Sequence, residues 1–182
     1  MTHGDIALVV ADVNPADFTE SQMLPLVRRH HEVVLAAFRH GAVLPLRFAT
    51  MLTDDEAAWQ LLRTCHDEAV ANLDAVAGHR EWGVRIRRSN PAPAKGISGT
   101  DYLAQRRRAR GGGDETHRRL ARHAGRSVLR PPGSEFGLDA VYLVAVPAEA
   151  AFLAEVDRLG EAAQTTGPWP PYSFSELRTT AP

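Results

Sequence analysis

Three prolines within four residues, Pro168, Pro170 and Pro171, constrain this chain more than any other feature. Each holds φ near about −65° and removes a backbone N–H donor, so Gly167–Phe174 (GPWPPYSF) is barred from a helix interior and from a central strand. The segment reads as extended and stiff. It presents Trp169, Tyr172 and Phe174 with little conformational freedom left to lose, which favours docking. Docking onto the chain's own sheet, sealing the second domain, is the preferred reading. An aromatic anchor for a partner is the other.

The remaining 174 of 182 residues divide into short segments punctuated by Gly and Pro. Asp5–Val13 (DIALVVADV) is a brief apolar run closed by Asn14-Pro15 and reads as a buried strand. From Pro25 the apolar positions Leu26, Val27, His30, Val33, Val34, Ala37 and Phe38 recur at spacings of three and four, the pattern of an amphipathic helix ending near Gly41. Ala42–Thr50 (AVLPLRFAT) reads as a strand, which Pro45 confines to an edge or a bulge. Thr53 is a natural N-cap, with Asp54, Asp55 and Glu56 in the first turn of a helix running to Gly78. Glu81–Arg88 alternates Trp82, Val84 and Ile86 against Arg85 and Arg87, a half-buried strand. Ser89–Thr100 is a Pro/Gly loop. Asp101 to about Arg126 is a polar helical stretch broken at Gly111–Gly113. Leu138–Val146 reads as a strand, and Pro147 opens a last helix.

The formal net charge is −1, and no apolar run nears the roughly 18 residues that would span a bilayer. Asp5 precedes the N-terminal apolar run and no basic flank accompanies it, so it does not read as a signal peptide. The single Cys65 cannot form an internal disulfide, and a reducing cytoplasm is the simplest compartment. Charge is uneven: nine Arg face three acids between Asp101 and Arg130. A nucleic-acid contact through residues 106–126 is the sharp alternative there. Aromatic side chains for base stacking are missing apart from Tyr102, so a solvated helical face is preferred.

Few residues look able to do bond chemistry. His30 lies on the apolar helix face and reads as a core histidine, because no second ligand sits at helical spacing. Cys65-His66-Asp67 is a tempting triad, but successive helix residues point about 100° apart and cannot form one. No glycine loop carries a phosphate-binding lysine. Arg47 interrupts an apolar run: either an intradomain carboxylate pairs with it, or it stands at an exposed strand end facing a partner.

Three segments together point to a family. His30–Thr50 (HHEVVLAAFRHGAVLPLRFAT), with Leu44, Pro45, Arg47 and Phe48, resembles the His-rich helix and "vLPlRFGT" strand of the gas vesicle GvpL/GvpF proteins. Glu81–Val84 (EWGV) and Gly99–Arg107 (GTDYLAQRR), with Tyr102 and Arg106, are similar to that family's "EWGV" and "YLxxR" elements. GPWPPYSF, with Trp169, Pro170, Pro171, Tyr172 and Phe174, resembles its C-terminal signature. Ala49 stands where Gly is usual, and Gly160–Thr166 (GEAAQTT) where relatives carry an apolar strand.

The resemblance implies an α+β fold of two small, modified ferredoxin-like domains with an extended Pro/aromatic C-terminal segment. The first would cover 1–78 and lack the usual first strand; the second, 79–182, would hold a helical hairpin and the tail. It also implies a cytoplasmic accessory protein of the gas vesicle, acting in assembly or nucleation by binding the small hydrophobic shell protein and other accessory proteins, or a minor shell component. No cofactor, metal, membrane or catalysis is implied.

Overall fold

Where the chain turns at Gly78, with φ +67°, it passes from one packing unit to another. The computed structural model describes residues 1–88, 113–131, 133 and 135–177. The first unit comprises Met1–Gly78 and Pro170–Pro182, and the second His79–Trp169. The sequence predicts a single domain over 79–182; the contacts instead group 170–177 with the first unit.

The first unit starts with β1 (Thr2–His3) and β2 (Ile6–Ala7), an antiparallel pair turned at Gly4, φ +60°. Most of the expected Asp5–Val13 strand is therefore absent: two residues pair, and Val9, Val10 and Val13 are exposed. Thr2–His3 thus forms a two-residue strand ahead of Ile6. Helix α1 (Glu20–Phe38) begins a turn earlier than read and carries Pro25 inside it. It turns Val34 inward, with Leu26, His30, Leu35 and Phe38 half-buried.

The segment Ala42–Thr50 forms no strand. Pro45 is buried and cannot donate, and a turn closes where Thr50 N–H donates to the Arg47 carbonyl at 3.1 Å. Helix α2 (Asp55–Thr64) is capped by Asp54, not Thr53: Asp54 Oδ1 accepts from Ala57 N–H at 2.8 Å. The long helix foreseen up to Gly78 breaks at Cys65, and α3 (His66–Val76) follows. Ile6, Leu62 and Ala69 form the core of this unit, flanked by Leu44, Trp59, Val70, Leu73 and Leu177. Its described residues hold one two-stranded ladder, not the four-stranded sheet that a ferredoxin-like domain requires.

The second unit runs β3 (His79–Arg87), α4 (helical over 113–121), β4 (Arg126–Leu129), β5 (Phe136–Ala145), α5 (Glu149–Asp157) and β6 (Ala163–Trp169). Its strands form one antiparallel sheet in the order β4-β5-β3-β6. The alternation read in β3 places Trp82 opposite Tyr142 and Val84 opposite Ala140. These side chains share a face with Leu120 of α4 and with Phe152 and Val156 of α5. Tyr142, Leu120 and Phe152 are fully buried, each such apolar side chain contributing about 1.5–3 kcal/mol. Burial also pushes the Tyr142 phenol well above its ordinary pKa. Its oxygen finds a partner in His117 Nδ1 at 3.0 Å.

Two elements here depart from the sequence reading. The polar helix ends at residue 121, short of Arg126, and Arg126–Leu129 forms a strand that the sequence does not announce. Polar Gln164-Thr165-Thr166 pairs with β3 although the sequence carries no apolar strand there. Both are edge strands, held by backbone bonds to a buried neighbour, and such pairing asks little of the side chains.

Candidate functional site

Five residues singled out in the sequence, His30, Pro45, Arg47, Phe48 and Tyr172, line one groove of the first unit. It is built on α1, whose 3.6-residue period brings Val27, His30 and His31 to adjoining positions. Against them lies Pro45–Phe48. The Phe48 ring sits between Phe18, at 6.1 Å between centroids, and His30, edge-on at 5.7 Å. His30 therefore serves as an aromatic packing partner.

The chain's C-terminal segment makes the third wall. Tyr172 N–H donates to the Pro170 carbonyl at 2.7 Å, and Phe174 N–H to the Pro171 carbonyl at 3.1 Å, curling the segment into successive turns. Pro170, Pro171 and Phe174 are buried. Ser175 Oγ donates to the Pro45 carbonyl at 2.9 Å, satisfying an acceptor that no ladder reaches. His31 Nδ1 meets the Tyr172 hydroxyl at 2.7 Å. The groove so formed encloses about 640 Å³, lined chiefly by Val27, Leu46, Arg47, Phe48, Tyr172 and Leu177.

His30, Pro45, Arg47, Phe48 and Tyr172 thus come together here. Leu44 packs against the neighbouring core cluster. Trp169 does not join them. It lies on β6 in the second unit, opposite Glu81 and 38% exposed. The GPWPPYSF motif is shared between units, with Gly167–Trp169 in the sheet and Tyr172–Phe174 in the groove unit; it does not seal the second domain as a whole. Tyr102 and Arg106 lie outside the described residues. Arg47 resolves toward exposure: its guanidinium makes no hydrogen bond or ion pair among the described residues.

Sequence reasoning assigns no role to His31, which the structure bonds to Tyr172. It also missed Ser175, whose role follows from the position of Pro45, a contact 130 residues away in sequence. Of the tempting triad, two members do bond: His66 Nδ1 lies 3.0 Å from Asp67 Oδ1. The helix break at Cys65 places both in a first turn, where neighbouring side chains can reach one another. Cys65 stays apart. It is buried, and desolvation, reinforced by Glu68, raises its thiol pKa, the opposite of what a nucleophile needs. Among the described residues no three His, Cys, Asp or Glu side chains cluster as metal ligands would, and no helix is long and apolar enough to cross a membrane. Of the basic segment's described arginines, Arg119 is engaged by Glu155.

The fold is a mixed helix-and-sheet one, with the groove in its first unit. Residues 1–176 match the family model for the gas vesicle synthesis protein GvpL/GvpF. The chain belongs to that family. It is 32% identical to gas vesicle protein L of Streptomyces sp. (strain CB03234), across 97% of this chain and 82% of that protein. It is 27% identical to gas vesicle protein F of the same strain, across 97% and 87%. Crystal structures of GvpF share the fold: that from Anabaena sp. PCC7120 has a TM-score of 0.65 over 83% of this chain and 74% of that one, at 18% identity. The protein from Microcystis aeruginosa has a TM-score of 0.64 over 88% and 80%, at 17% identity.

Proposed function

We propose that this protein acts in gas vesicle assembly by holding another gas vesicle protein, foremost the small apolar shell subunit, on the groove of its first unit. Family membership supports the gas vesicle role itself. The observation that carries the binding reading is that Pro45–Phe48 of the VLPLRF motif and Tyr172 of GPWPPYSF line one groove, whose helix leaves Met23, Leu24 and Val27 exposed. Apolar side chains displayed together on a folded protein mark contact surfaces. A subunit that is apolar before it polymerises would aggregate unless such a surface covered it. Trp169, on the edge strand of the second unit, offers a second aromatic contact.

The second unit's β-α-β-β-α-β order we read as ferredoxin-like. We read the protein as a scaffold without catalytic chemistry, working at the vesicle in the cytoplasm. Deleting the gene and counting vesicles by electron microscopy tests the assembly role; unchanged number and shape would refute it. Co-purification of the shell subunit with the tagged protein, lost in Val27→Asp, tests the groove.

A further inference from the structure

Building on the reading that this groove receives another gas vesicle protein, we propose that its occupant is an apolar helical segment bearing a carboxylate, which Arg47 pairs with. Val27, Leu46, Phe48 and Leu177 supply apolar lining. Among the lining residues Arg47 is the permanent cation, exposed, its guanidinium unengaged among the described residues. Glu176 lines the same groove but makes no ion pair with Arg47.

An arriving apolar segment would exclude water around that guanidinium and strengthen its attraction for a carboxylate. A polyanion such as a nucleic acid fits poorly, because it needs several cations and the groove's lining holds Arg47 together with the acid Glu176. Length follows from α1. Met23, Leu24 and Val27 are exposed on the face that leads to His31, so the apolar track along the helix is about 12 Å, or roughly two turns of a docked helix.

The test uses the full chain and fluorescein-labelled synthetic peptides with Leu at positions i, i+3, i+4 and i+7 and one Glu, Gln or Lys beside them. Anisotropy titrations should show the Glu peptide binding about fivefold more tightly than the Gln peptide, the upper range for a partly exposed ion pair. Arg47→Gln should abolish that preference without moving the thermal midpoint, and Arg47→Glu should transfer it to the Lys peptide. Equal binding of all three peptides by the wild type, or a Glu preference that survives Arg47→Gln, overturns the proposal. Capture of the shell subunit equally by wild type and Arg47→Glu also overturns it, while leaving the broader reading intact. A Glu preference that Arg47→Gln abolishes, with no shell subunit captured by the wild type, supports the pairing and refutes the broader reading alone.

Discussion

The His31 imidazole and the Tyr172 hydroxyl meet at 2.7 Å, joining α1 to the C-terminal segment across 141 residues of sequence. Both side chains are half-buried, so the bond is sheltered without being sealed. Tyr172→Phe should cost about 0.5–1.5 kcal/mol of stability. A double-mutant cycle with His31→Ala, read by urea unfolding, should give a coupling of about 1 kcal/mol. Additive effects would show that the two residues act separately.

Ala49 adopts φ +63°, in the left-handed region. An L-residue pays about 1–2 kcal/mol for that conformation, whereas glycine adopts it freely. Ala49→Gly should therefore raise stability by about 1 kcal/mol despite the added freedom of the unfolded chain. A rise in the thermal midpoint checks this, and a fall would contradict the turn geometry.

Gly83 lets β6 approach β3. A β-carbon there would stand 2.6 Å from Thr166 Oγ1. Gly83→Ala should destabilise the second unit by about 1–3 kcal/mol, as overpacking does. Because the obstacle is a side-chain oxygen, adding Thr166→Ala should recover most of the loss. Denaturant midpoints of the single and double variants decide it.

The Glu155 carboxylate is 9% exposed and accepts from Arg119 Nε at 2.7 Å and Arg158 Nη1 at 2.6 Å. These two hydrogen bonds, Arg119 first, hold its pKa below the ordinary carboxylate value. A carboxyl acidified by folding stabilises the protein above its unfolded-state pKa, and the contribution fades as pH falls through the folded value. The stability difference between wild type and Glu155→Gln should be present at neutral pH and shrink below about pH 4. A difference independent of pH would contradict the assignment.

His66 behaves in the opposite sense. Its hydrogen bond to Asp67 chiefly, and the charges of Asp5 and Asp67, raise its pKa despite some desolvation. A base strengthened by folding contributes stability below its unfolded-state pKa of about 6.5, and loses it as pH rises through the folded value. His66→Gln should lower stability at pH 5.5 and matter less at pH 8.5. Urea midpoints at the two values check it. The His3 ring, edge-on to His66 at 5.3 Å, should then report the change by NMR.

What the sequence determined by itself was local. The period of two in β3 and the spacing of three and four in α1 each follow from a few neighbouring residues, and both elements form there; the proline block at 168–171 is extended only as far as Trp169 and then curls into turns. The motifs also pointed to the family, which the match over residues 1–176 shows. The tertiary structure decided everything that needed a distant partner. Asp5–Val13 and Ala42–Thr50 have the composition of strands, but two residues of the first and none of the second find a ladder. Gln164–Thr166 lacks that composition and becomes a strand because β3 offers its backbone. His31 and Ser175 acquire partners 141 and 130 residues away. Side-chain pattern encodes which face is apolar, whereas edge pairing and long-range hydrogen bonds depend on which backbone groups burial leaves waiting, and that is settled only when the chain has closed on itself.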